Sequence, residues 1–283
     1  MPLTVNSNIQ SLIAQQNLTL NGNHLATALQ QLSSGKRVNS AADDPAGYAV
    51  ITTMTTDVNG STVAQRNAND GISVSQTAQS ALSSVINQLQ TIRELAVQAA
   101  NGSISNSNRS QLQLEVDQNT QEIYRAVSTT EFNGNFLISG ASNGLTFQVG
   151  SSGAASNQIT TSAVDLSSLY GVSGGGLTAT GIINITTSGG ASAAISAIDA
   201  ALATVTNDAA TFGAVQNRFQ SVVDNLGTYI QNVTASRSRI QDTDFASATA
   251  ELTRDQILQQ AGTSILSQAN SLPQAALTLL TGH

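Results

Sequence analysis

Apolar positions along this chain recur at helical rather than strand spacing for most of its length. From Ile195 to Ile240, positions 195, 198, 202, 205, 209, 212, 216, 219, 223, 226, 230, 233, 237 and 240 step by three and four, and all but Gln216 and Arg237 are apolar. Such a stripe predicts a helix of about 70 Å at 1.5 Å per residue, a rod rather than a globule. The two exceptions are candidates for pinning register, as isolated polar residues on an apolar seam do. Ala78, Leu82, Val85, Leu89, Ile92, Ala96 and Ala99 form a second seam that stops at Asn101-Gly102. A third runs through Leu112, Val116, Asn119, Ile123 and Ala126 and stops near Asn133-Gly134.

Both chain ends repeat the pattern. Ile9, Leu12, Ile13, Leu18, Leu25 and Leu32 mark one helix, and Leu258, Ile265, Leu272 and Leu279 mark another, with Ala261, Gln268 and Ala275 on the same face. Asp44 before Pro45 reads as an N-cap with proline at the first helical position, so a new helix starts there. Pro273 removes one hydrogen bond from the C-terminal stripe and either kinks that helix or begins its last segment. In the middle, Phe136–Ile138 and Leu145–Val149, separated by residues 139–144, read as a β-hairpin, and Ile159–Leu169 as an irregular strand. Residues 171–190, rich in Gly, Ser and Thr, read as a surface loop. The expected fold class is therefore mainly α: a long coiled-coil-like helical rod from both chain ends, with a small β-hairpin region in the middle.

Charge sharpens this picture. Only 10% of the 283 residues are charged, against about a quarter in ordinary domains. The first charged side chain is Lys36 and the last is Asp255, so both terminal helices are amphipathic with little or no charged outer face. Ordering an isolated end costs more backbone entropy than its few leucines return on burial. The ends are therefore expected to be disordered in a free monomer and to fold on assembly. A net charge of -7 and a single lysine argue against nucleic-acid binding. The absence of cysteine removes disulfides and thiolate metal sites. No run of 18 apolar residues predicts membrane insertion, and the basic start of a cleavable signal is missing.

No catalytic constellation emerges, and neither an enzyme nor a cofactor is expected. Gly171-Val172-Ser173-Gly174-Gly175 fits the nucleophile-elbow spelling, but in a Gly/Ser-rich stretch without a histidine placed as base. Asp43-Asp44 and Asp242-Thr243-Asp244 lack EF-hand spacing and read as helix caps.

Several long blocks resemble bacterial flagellin, the filament subunit of the flagellum. They are SSGKRVNSAADDPAG at 33–47, RNANDGISVSQ at 66–76 and IRELAVQAA at 92–100, then FGAVQNRF at 212–219, ASRSRIQDTDFA at 235–246 and QILQQAGTSILSQAN at 256–270. The resemblance implies a terminal coiled-coil domain, D0, from 1–42 and 243–283, and a helical rod domain with a β-hairpin, D1, from 43–170 and 191–242. Residues 171–190 then stand where other flagellins insert outer domains, making this a minimal form. It further implies polymerisation with copies of itself, the terminal aliphatics forming the assembly interface. Export follows a type III route to the extracellular filament without signal cleavage. Implied partners are an export chaperone, a filament cap protein and the hook–filament junction protein. That junction protein, which shares the terminal helices, is the alternative identity. Flagellins sensed by an animal innate receptor carry an arginine, a leucine and a glutamate in D1; Leu95 and Glu115 match the last two, while Thr91 departs from the arginine. Leu277, Leu279 and Leu280 match a C-terminal region read by a second sensing pathway.

Overall fold

The computed structural model describes residues 7–139, 144–166 and 183–281, with side chains as far as Ser271. Several expectations above fall wholly or partly outside that range: the spelling at 171–175, the loop at 171–190, of which only 183–190 are described and whose last residues are helical from Ser188, and the side chains of Leu272, Leu277, Leu279 and Leu280. The strand expected over 159–169 ends at Thr160, and its residues beyond 166 are not described. The helices are α1 (Ile9–Ser34), α2 (Pro45–Ala100), α3 (Asn106–Thr129), α4 (Ser188–Gln241) and α5 (Phe245–Thr281). Four short strands lie between α3 and α4: β1 (Glu131–Phe132), β2 (Asn135–Phe136), β3 (Thr146–Gln148) and β4 (Gln158–Thr160). The mainly helical fold class therefore holds, and α5 continues through Pro273. The chain divides into two compact units, residues 1–56 with 232–283, and residues 57–231.

In the first unit, α1 and α5 pack on each other antiparallel. The Asn8 side-chain amide donates to the carbonyl of Ala269, and that of Asn21 to the carbonyl of Asp255, both at 2.7 Å. The pairing works because the facing residues are small. Ser11, Ala14 and Ala28 are buried on α1, and Ala248, Asp255 and Ala269 are buried on α5, on one series of seven-residue steps. Gly262 falls on the same series, and a Cβ there would meet Leu18 at 2.6 Å. Caps define the ends. Asn8 accepts from the Ser11 N–H at the start of α1, and Gly35 ends it in the left-handed region at φ 68°. Asp44 accepts from the Gly47 N–H and Asp244 from the Ala246 N–H, so these aspartates serve as the expected caps of α2 and α5.

The linkers of this unit are tied together. Lys36 and Asp242 form an isolated antiparallel bridge, and the Arg37 and Val38 N–H groups both donate to the Gln241 carbonyl. The Arg37 guanidinium reaches the Ile240 carbonyl at 2.6 Å, placing a cation at the negative end of α4. Asp43 accepts from the backbone N–H groups of Ser40 and Asn39, which hold its carboxyl below the usual carboxylate range. Arg237, one of the two polar interruptions of the long stripe, donates to Thr55 Oγ1.

The second unit is built on the three predicted seams. Every residue of the Ala78–Ala99 series is fully buried, facing Val116, Ile123 and Val127 of α3 and Ala194, Ile198, Ala201 and Val205 of α4. The other polar interruption, Gln216, accepts from Gln79 Nε2 at 3.0 Å. A smaller core gathers Ala68, Val149, Ile159 and Phe219.

The middle of the chain pairs differently from the hairpin expected between 136–138 and 145–149. β1 pairs with β2 around Asn133-Gly134, whose φ values of 50° and 78° suit a two-residue hairpin turn of primed type. The helix therefore stops at Thr129, before that dipeptide. Leu137 and Ile138 turn into the core instead of continuing the strand. β3 then pairs with β4 in antiparallel register, Phe147 opposite Ile159.

Candidate functional site

The terminal helix pair carries the feature that calls for a function: apolar side chains left in solvent. On α1, Ile9, Leu12 and Ile13 are 60%, 62% and 48% exposed, and on α5 Leu258 and Ile265 are 50% and 59% exposed. Leu18, Leu25 and Leu32 are half-buried, and Leu18 packs against Gly262 of α5. The expected terminal aliphatics thus separate into two sets. One glues the pair together, and the other faces outward.

The reason lies in the α5 heptads. The face turned to α1 is the small series Ala248, Asp255, Gly262 and Ala269, so the leucine stripe lies on the flank of the seam rather than in it. Leu258 and Ile265 line an apolar groove with Ala14, Leu18, Ala261 and Gly262. Leu20, Leu29 and Ile257 are exposed as well. These three sit off the seven-residue ladder, so periodicity alone passes over them. Large apolar side chains left in solvent beside an apolar groove point to an interaction surface. No charge on α1 and none on α5 beyond Asp255 opposes the approach of an identical surface.

The residues matched to the innate-receptor patch do not share one exposed face. Leu95 is 9% exposed and belongs to the core, whereas Glu115 is exposed. Thr91 is half-buried and donates its hydroxyl to the Asn87 carbonyl. Beside them, Arg93 pairs with Asp199 across to α4 at 2.7 Å.

Sequence reasoning missed Arg109, which is 6% exposed. Its guanidinium donates to the carbonyls of Ala99 and Asn101 and to Asn106 Oδ1, closing the C-terminal end of α2. An arginine three residues into α3 gave no periodic signal. Among the described residues no cluster of three metal-ligating side chains occurs.

Comparison with known proteins fits this arrangement. Residues 5–143 match the bacterial flagellin N-terminal helical region and residues 195–280 the bacterial flagellin C-terminal helical region. Polar flagellin F of Vibrio parahaemolyticus is 34% identical in an alignment of 376 residues that covers 99% of this chain and all of that protein. A flagellin of Halalkalibacterium halodurans is 38% identical over 278 residues, covering 98% of this chain and all of that one. In fold the chain is similar to a Vibrio parahaemolyticus protein described as flagellar hook-associated, at TM-score 0.59 and 17% identity, covering 71% of this chain and all of that one.

Proposed function

Because this chain belongs to the bacterial flagellin family, we propose that the outward apolar surface of its paired terminal helices is where copies meet as the filament forms. The protein is a structural subunit that polymerises into the helical flagellar filament, and its relatives belong to the extracellular flagellum. Heterologous contacts that do not close into a ring extend into a helix. The observation that carries the proposed interface is the exposure of Ile9, Leu12, Ile13, Leu258 and Ile265 on helices almost free of charge. The test is Leu258→Ser with Ile265→Ser in the full chain. Loss of pelletable filaments with unchanged unfolding of residues 57–231 supports the interface; normal filaments overturn it.

The same reading assigns residues 1–42 and 243–283 to D0, residues 43–170 and 191–242 to D1, and 171–190 to the place of outer domains. The chain performs no catalysis in this role. It leaves the cell by type III export without signal cleavage, and an export chaperone, cap protein and junction protein handle it before and during assembly. For animal sensing, a threonine at 91 cannot supply the planar fork of an arginine, and Leu95 is packed in the core. Weak receptor activation follows, and Thr91→Arg raises it in a reporter assay if the patch operates; no change sinks the patch.

A further inference from the structure

The turn from α2 into α3 brings together groups that activate both partners of one covalent step. Asn101 and Gly102 are exposed, and no heavy atom lies within 4 Å of where a Cβ on Gly102 would stand. The glycine thus stands in open space, with no residue other than its chain neighbours crowding the dipeptide. Asn101 Oδ1 accepts two hydrogen bonds, from the Ser103 N–H and the Ser103 hydroxyl, both at 3.1 Å. These donors draw electron density from Cγ and stabilise an oxyanion forming on Oδ1. The main-chain carbonyl of Asn101 accepts from Arg109 Nη2 at 3.0 Å and from the Ile104 N–H at 3.2 Å. That carbonyl is conjugated with the Gly102 nitrogen, so a guanidinium on it favours loss of the Gly102 amide proton.

We propose that Asn101 is a self-modifying site. The Gly102 nitrogen, its proton passed to solvent hydroxide, attacks Asn101 Cγ. The new N–Cγ bond closes a five-membered succinimide as the Cγ–Nδ2 bond breaks, and Nδ2 takes a proton and leaves as ammonia. Water then opens the ring at either carbonyl, giving aspartate or isoaspartate at 101. The new carboxylate arises on the residue whose main-chain carbonyl Arg109 holds, and Arg109 is a buried cation with no ion pair among the described residues.

The other Asn-Gly pairs whose residues are both described lack this arrangement, Asn143 of the Asn143-Gly144 pair lying outside the described residues. Asn21-Gly22 and Asn59-Gly60 lie inside α1 and α2, where the helical ladder holds the glycine N–H. Asn133-Gly134 sits in an exposed turn, but among the described residues no donor reaches the Asn133 side chain. It serves as an internal control for simple exposure.

The experiment incubates the folded full-length chain near neutral pH and follows each Asn-Gly pair by peptide mass spectrometry. Trypsin releases residues 94–109 between Arg93 and Arg109, isolating Asn101. Asn101 is expected to convert about tenfold faster than Asn133, a conservative share of what aligned donors provide, and to yield both aspartate and isoaspartate. Ser103→Ala and Arg109→Lys, which keeps the tryptic site, are expected to slow conversion toward the rate in urea. Far-UV circular dichroism identifies any variant that fails to fold. Persistence of the Asn101 amide while Asn133 converts, or equal rates for folded and urea-unfolded wild-type chain, overturns the proposal.

Discussion

The ring of Phe219 rests on the backbone of Gly71: a Cβ on that glycine would stand 2.5 to 2.8 Å from three ring carbons. Phe147 meets the same ring edge-on at 5.3 Å. Gly71→Ala therefore forces the ring outward from a filled site. In an open helix this change gains about 1 kcal/mol, but overpacking costs about 1–3 kcal/mol. The expected result is a net loss of stability in residues 57–231, read as a lower urea midpoint at an unchanged slope. A midpoint that rises means the ring has room.

Arg109 closes the end of α2 with three hydrogen bonds from a buried guanidinium. Arg109→Met keeps the apolar stem, removes the guanidinium from the carbonyl of Ala99 and leaves the carbonyl of Asn101 with the Ile104 N–H alone. Bonds from a charged donor are worth about 1.5–3 kcal/mol, so a loss of roughly that size is expected in equilibrium unfolding. Amides of residues 101–105 should also exchange faster.

Gln79 and Gln216 pair across α2 and α4 in an otherwise apolar series. A double-mutant cycle with leucine at each position should give a coupling of about 0.5–1.5 kcal/mol, the size of one neutral hydrogen bond. Additive single mutants would show that the pair contributes nothing.

Asp43 titrates below its usual range because the N–H groups of Ser40 and Asn39 stabilise its charged form. Its contribution is present above the unfolded carboxyl value of about 3.9. It is lost as pH falls through the lower folded value. Amide exchange at Asn39 and Ser40 should therefore rise only below about pH 4 after correction for intrinsic rates. The rise should disappear in Asp43→Asn.

Ordering of the ends is expected to accompany assembly, since in a single chain their outward aliphatics have no cover. Amides of residues 9–34 and 245–271 should exchange quickly in dilute monomer and become protected in filaments. Deleting 256–283 should abolish polymerisation while residues 57–231 keep their unfolding transition. Strong protection in the monomer, or filaments from the truncated chain, contradicts this.

Much of this was legible in the residue order. The Ala78–Ala99 series is buried to the last residue because heptad spacing on one helix needs only a facing apolar surface to be satisfied. Asp44-Pro45 starts α2 because capping is local chemistry. The expected hairpin failed for a non-local reason. Leu137 and Ile138 have strand-forming neighbours in sequence but a deeper apolar site in space, and Asn133-Gly134 had already reversed the chain.

The terminal helices divide the two kinds of information most clearly. Their helicity, their aliphatic spacing and their lack of charge follow from sequence alone, because each depends on residues within a few turns. Which leucines are spent within the chain and which face outward was decided only by the packing of α1 on α5. There the close approach of two backbones requires alanine and glycine in the seam, and that pushes Leu258 and Ile265 to its flank. Arg109 and Asn101 belong to the same category: a carbonyl left open at a helix end is satisfied by whatever donor the fold brings near, and no periodicity announces it.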